Sequence, residues 1–547
     1  MKQNKLRTLY EKDMTKKILA SLLSILIGLV VGSVIIAAVG FSNPELGASS
    51  VWDGFRLVFA GLFSTGRTAS GVLTWGFNST NFGNMLFRAT PLIMTGLSVA
   101  VAFKTGLFNI GAPGQYLMGT LVSLCIALGI PSSSVAPWLI WILAFLGGIA
   151  AVGFSNPELG ASSVWDGIRI VFAGLFSTGR TAAGVLTWGF NSTNFGNMLF
   201  RATPLIMTGL SVAVAFKTGL FNIGAPGQYL MGTLVSLCIA LGIPSSSVAP
   251  WLIWILAFLG GVAAGALWGA IPGALKAFLN INEVLASIMT NWLAANLVTW
   301  MFDISNFKNL VENTKSGYIY KTTYNDVATA KLGLDKLFPN SQVNAGILVA
   351  ILFAIGMYIL MNKTTLGYEL KACGMNRHSA RYAGIRDKRN IVLSMAIAGG
   401  LAGGGAALYY LSGNTEFFWS TYQTLPAEGF NGIPVALLAV NNPIAVIFTA
   451  IFMSVLDIAG LQLTNLTAYN EYITDVIIAA IVYLSAFSLV IRMLLDGRKK
   501  KRKSGDTPAD DAPVEPAQSL GDPELHPDPA ITDPDADAPV AEGGEQA

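Results

Sequence analysis

One long segment of this chain occurs twice in succession. Residues 36–148 return as residues 149–261, offset by 113, and only three positions differ: Phe55 against Ile168, Leu57 against Ile170, and Ser70 against Ala183. Two such copies cannot both fill one place in a fold. The unit is rich in long apolar runs, so each additional crossing of a bilayer would reverse the side on which later segments emerge.

Of the 547 residues, 53% are hydrophobic and 12% charged, a balance that excludes an ordinary soluble protein. A spanning helix needs about 20 mostly apolar residues. Backbone polar groups find no water in lipid, so the spans are expected to be helices. Barrel strands alternate in polarity, and these runs do not. The expected class is therefore an all-α polytopic membrane protein. About ten hydrophobic segments form its core, and the duplication adds about three. Cys125, Cys238 and Cys373 match neither a metal pattern nor a disulfide framework. No cleavable signal is evident, and the apolar run 18–40 reads as a retained first span.

Charge is divided along the chain. The 44 residues after Lys503 contain 12 acids and no Lys or Arg, so the tail 504–547 is expected to be disordered and solvated. The basic N-terminus, 1–17, is placed in the cytoplasm. An amphipathic patch at 51–63 is expected on the outer surface. Spans are expected near 88–105, 113–130, 137–153, 201–218, 226–243, 250–275, 283–301, 344–361, 391–411, 443–461 and 474–495, with a re-entrant or broken segment at 430–441. The loop 362–390 holds seven Lys or Arg against two acids and is placed in the cytoplasm, as is the basic run 498–503. Three extra crossings would move both to the outside, so either the additional copy contributes an even number or it is not a natural part of a working protein.

The copies leave differently. Copy two continues through Gly261, Gly265, Gly269 and Gly273, a four-residue glycine period that lets membrane helices approach closely. Copy one runs into Val152 instead. Copy two is therefore expected in the packed position, and deleting 36–148 is expected to leave a foldable subunit. Gly399 with Gly403 and Gly400 with Gly404 also read as packing faces.

No phosphate-binding loop of the form GxxxxGK[ST] occurs. His378 and His526 lie in the basic loop and the tail, and no nucleophile, metal or cofactor constellation appears, so the chain is expected not to be an enzyme. The loop 364–385 mixes apolar and charged residues between glycines and reads as a short amphipathic helix offered to a soluble partner. In GLFNIGAPGQ (219–228), Gly224 and Gly227 interrupt a helical run and Pro226 suits the first turn of the next helix. Asn222 and Gln228 there would offer amides to cargo in a cavity-lining break; a plain helical corner is the alternative. Glu283 is read as capping its span. Asn291, deeper in that span, and Asn431, beside Gly432 in another break, either touch cargo or hydrogen-bond between helices.

The 364–385 loop resembles that of the permease subunits of ABC importers, and more closely the permeases that import purine nucleosides, relatives of the branched-chain amino acid and ribose permeases. GLFNIGAPGQ, NEVLASIMTN (282–291), the glycine-rich 398–407 and GFNGIPVALL (429–438) carry the same resemblance, which covers about residues 10–500 with one copy removed. Many members have an acid where Pro226 stands, and its role is missing here. The resemblance implies a multi-pass subunit of the bacterial plasma membrane, with the permease domain over 18–495. It implies partners: an ABC ATPase subunit, a second homologous permease and an extracytoplasmic substrate-binding lipoprotein. It assigns the coupling role to Glu369, Ala372, Gly374, Ala380 and Gly384, and implies no nucleic-acid contact. A nucleoside is the expected cargo. The alternative is an ion-coupled secondary transporter, which needs an ionisable group in the membrane; Asp457 is the candidate.

Overall fold

The computed structural model describes residues 185–308, 327–419 and 424–466 continuously, with residue 316 and shorter stretches between residues 23 and 181. The expected spans at 137–153 and 474–495, the run 498–503 and the acidic tail lie outside the described residues. The chain divides into two units, Met1–Asn156 and Pro157–Ala547.

In the first unit, helix α1 (Ala48–Ala60) covers most of the expected amphipathic patch. A hairpin of β1 (Ser64–Arg67) and β2 (Leu73–Trp75) follows, and then α2 (Ser79–Lys104). The Arg56 guanidinium lies over the Trp52 ring at 5.7 Å and the Trp75 ring at 6.0 Å, and Arg67 pairs with Asp53 at 2.9 Å. Cation–π and ionic contacts thus tie the hairpin to α1.

The second unit repeats the hairpin as β3 (Ser177–Arg180) and β4 (Leu186–Trp188), in the same antiparallel register. The sequence reading expected no strands. Two local features make them. Gly66 and Gly179 take φ of 132° and 130°, a region glycine enters freely, and each sits at a register shift. A cross-strand threonine pair closes each ladder at 3.0 Å, Thr65 with Thr74 and Thr178 with Thr187.

Ten more helices follow: α3 (Ser192–Lys217), α4 (Ala225–Gly242), α5 (Pro250–Leu279), α6 (Glu283–Ile304), α7 (Leu334–Leu337), α8 (Gly346–Lys363), α9 (Thr365–Met375), α10 (Arg377–Tyr382), α11 (Asp387–Tyr410) and α12 (Ala427–Leu438). The last described helix is α13 (Pro443–Leu466). Among the described residues, seven of these helices are long and apolar enough to cross a membrane: α3, α4, α5, α6, α8, α11 and α13. α3 begins nine residues earlier than expected because the Asn191 side chain accepts the Asn194 N–H at 3.0 Å and caps it there. α6 is capped by Asn282, which accepts from Val284 N–H (2.9 Å) and Leu285 N–H (3.3 Å). Glu283, expected as the cap, instead pairs with Lys276 at 3.1 Å.

α3 runs through the middle of this unit, packed by α8, α11, α12 and α13 and buried along most of its length. α5 lies against α11, glycine to glycine. A methyl on Gly265 would stand 2.9 Å from the Gly403 Cα, and one on Gly269 would stand 3.1 Å from the Gly399 Cα. No side chain separates these backbones, the close approach that small residues allow in membranes. Gly261 faces Ala407, and Gly273 faces Met395. α12 is a shorter element. Its 12 residues span about 18 Å at 1.5 Å each, well under the roughly 30 Å of hydrocarbon.

Candidate functional site

The loop 362–390 folds as two helices, α9 and α10, where one was expected. Asn376 causes the break. Its backbone is extended, with φ −156° and ψ 107°, and its side chain accepts the Ser379 N–H at 3.0 Å, ending one helix and capping the next. Residues 362–385 line an open cleft of about 920 Å³, with Tyr368, Glu369, Ala372, Ser379 and Ala380 on its walls. Three large side chains stand free beside it: Tyr368 (69% exposed), Met375 (89%) and Tyr382 (93%).

Ion pairs to the start of α11 hold this platform. The Glu369 carboxylate accepts from Arg389 at 2.7 Å and from Asn390 at 3.1 Å. Asp387 accepts from Arg377 at 2.6 Å and Arg381 at 2.9 Å. Between them lies Cys373, whose thiol burial pushes above its ordinary range. Ala380 is buried, and Gly384 turns the chain at φ 79° in open space.

Gly374 has a different environment. Its backbone presses on Thr218 and Gly219, at the end of α3, and a side chain on Gly219 would meet the Gly374 Cα at 2.6 Å. Gly219 takes φ 71° at this contact. The neighbouring Thr218 hydroxyl hydrogen-bonds the Ser394 hydroxyl of α11.

Three residues after Gly219, the chain enters a buried polar knot. Asn222 Nδ2 donates to Gln228 Oε1 at 2.8 Å and to Ser211 Oγ at 3.1 Å, and Gln228 Nε2 donates back to Asn222 Oδ1 at 3.0 Å. Asn291 bridges from α6: its Oδ1 accepts the Gly227 N–H at 2.9 Å and its Nδ2 donates to the Ile223 carbonyl at 2.9 Å. These amides satisfy the backbone groups that the break between α3 and α4 leaves open, as buried polar groups require. The structure thus brings Asn222, Gln228 and Asn291 together, and all three are buried. Asn431 sits apart on α12, half-buried.

Two ionisable groups escaped the sequence reading, which held Asp457 to be the candidate. Arg201 lies on α3 and Glu428 in the first turn of α12; each acts electrostatically on the other, and both act on Tyr409, as does Asp457. Arg201 was the first residue of the expected span, and it lies nine residues past the start of α3 because that helix begins early. Glu428 directly precedes the GFNGIPVALL string, which is the one signal that could have found it.

A subunit with these spans, a basic platform and a platform-to-break contact has the build of a membrane permease. The chain belongs to the family described as branched-chain amino acid transport system / permease component, whose pattern matches residues 81–161 and 194–486. It is similar to the nucleoside ABC transporter permease protein NupB of Lactococcus lactis, 38% identical over 58% of this chain and 85% of that protein. It is similar to the guanosine ABC transporter permease protein NupP of Bacillus subtilis, 33% identical over 66% of this chain and 97% of that one. A more distant relative is the glucose ABC transporter permease protein TsgB13 of Haloferax volcanii, 28% identical over 70% of this chain and 96% of that one. The chain is a multi-pass membrane protein.

Proposed function

We propose that this chain is the pore-forming subunit of an importer of nucleosides in the bacterial plasma membrane, driven by ATP hydrolysis on a separate subunit. The observation that carries the reading is the α9–α10 platform. Exposed Tyr368, Met375 and Tyr382 beside an open cleft suit a partner that buries aromatic and Met anchors. Ion pairs of Glu369 with Arg389 of α11, and of Arg377 and Arg381 with Asp387 of α11, make the platform move as one piece with that helix. Glu369, Ala372 and Ala380 give the ATPase its docking walls, Gly384 turns the chain out of the platform, and Gly374 passes movement to the α3–α4 break.

In this scheme the knot of Asn222, Gln228 and Asn291 closes the substrate path until Gly219 is displaced, and Asn431 borders the path on α12. The α5–α11 glycine seam (Gly261, Gly265, Gly269 and Gly273) keeps those two helices one body. A second homologous permease completes the pore, and an extracytoplasmic binding protein delivers cargo. The two nucleoside-named relatives favour a nucleoside over the sugar of the third.

Topology supplies the test. In a chain with Cys125 and Cys238 changed to Ser, a membrane-impermeant maleimide should leave Cys373 unlabelled in intact cells and label it after permeabilisation. The raised thiol pKa slows the second reaction, so labelling is run at pH 8.5. Labelling of intact cells would place the platform outside and end the proposal. Vesicles should also take up nucleoside with ATP when an ionophore is present; uptake that collapses with the ion gradient favours the secondary transporter instead.

A further inference from the structure

Arg201, Tyr229 and Glu428 have no part in the coupling scheme. Arg201 and Glu428 are half-buried and feel each other's charge, yet they form no ion pair with one another. Charges at membrane depth are expensive when unpaired and mark functional sites. Tyr229, one turn into α4, is fully buried, and among the described residues its hydroxyl has no hydrogen-bond partner. A buried tyrosine hydroxyl ordinarily finds one.

The three groups converge. Gly429 seats the start of α12 on Pro226, where a methyl would stand 2.5 Å from the Pro226 Cα, and this places Glu428 by the first turn of α4. Glu428 acts electrostatically on Tyr229, Tyr409 and Tyr410. The Tyr229 and Tyr410 rings meet edge to face at 6.2 Å, and those of Tyr409 and Tyr410 at 5.1 Å. The first turn of α12, with the helix's partial positive charge, therefore lies beside these rings.

We propose that Arg201, Tyr229, Tyr410 and Glu428 form the cargo subsite for a heteroaromatic base bearing adjacent N–H donors. The inference rests on the nucleoside reading and adds the groups that recognise the base. An ionised carboxylate only accepts hydrogen bonds, and its two oxygens match two neighbouring N–H groups, as on a 2-amino-6-oxopurine. Tyr410 packs on the base, the orphan Tyr229 hydroxyl gains a partner, and Arg201 donates to an oxygen of base or sugar. A bare sugar offers no flat face for the ring, and adenine offers no such donor pair.

The test uses the complete transporter in proteoliposomes, with tritiated guanosine and tritiated adenosine as probes. Glu428→Gln should raise the guanosine KM about tenfold or more, the loss expected for a hydrogen bond to a charged group, and shrink the guanosine-to-adenosine preference. Tyr229→Phe, which removes only an unpartnered hydroxyl, should raise the guanosine KM severalfold while thermal stability holds or rises. It keeps the inference testable if Glu428→Gln fails to assemble. An unchanged guanosine KM in Tyr229→Phe, or an unchanged guanosine-to-adenosine KM ratio in an assembled Glu428→Gln, overturns the site alone. A wild-type transporter that takes up neither nucleoside removes the nucleoside reading and this site with it.

Discussion

α2 and α3 are the same 26 residues in two environments. In α3, Phe200 is 3% exposed and Ile206 and Met207 are fully buried; in α2 the equivalent Phe87, Ile93 and Met94 are 80%, 60% and 61% exposed. Their local structure does not differ. Each is preceded by the same hairpin, and each N-terminus is capped by the same asparagine, with Asn78 and Asn191 accepting at 2.9 and 3.0 Å. The comparison separates what a segment encodes for itself from what its neighbours supply. Hairpin and cap belong to the segment. Burial belongs to the helices around it, because only copy two runs on into the glycine face of α5 that seats against α11. Apolar surface costs little in lipid, where no hydrophobic drive pushes α2 to find a partner.

Deleting one copy cannot test this contrast: the repeats are tandem, so removing either leaves the same chain but for the three differing positions. Matched point substitutions can. The largest effect is expected from Phe200→Ala, about 3–5 kcal/mol of lost packing, against a change within about 0.5 kcal/mol for Phe87→Ala. Thermal unfolding of the purified protein in detergent measures both, and equal losses would mean that both copies are packed. Next comes Gly209→Leu. A side chain there meets Val435 Cγ1 at 2.6 Å and Val446 Cγ1 at 3.0 Å, whereas Gly96 has nothing within 4 Å. Overpacking should cost about 1–3 kcal/mol at Gly209 and abolish uptake, while Gly96→Leu leaves uptake intact. Smallest is the cap pair. Asn78→Ala and Asn191→Ala should each lose about 1 kcal/mol locally, read as faster hydrogen exchange at the first-turn amides. A difference between these two would show that the cap depends on its surroundings after all.

Much of the fold was legible in residue pattern. Long apolar runs gave the spans, and the four-residue glycine period gave a face for close approach. The loop 362–390 stood out by charge. What escaped depended on distance in sequence. Asn222 and Gln228 were singled out as groups for cargo and Asn291 for cargo or a bond between helices, but nothing in their spacing says that Asn291 reaches 64 residues back to Gly227. Arg201 escaped because an arginine within an apolar run reads as the end of a span, and only the Asn191 cap moves the start. The two hairpins escaped because three- and four-residue strands carry too little periodicity to read.

The meeting of Gly219 with Gly374 has one more consequence. Contacts made through side chains have slack, since a rotamer turns or a methylene yields before the main chain does. Here main chain bears on main chain at a φ of 71°. A displacement of α9 reaches the break before α4 with no loose linkage to absorb it, as the proposed coupling to an ATPase requires.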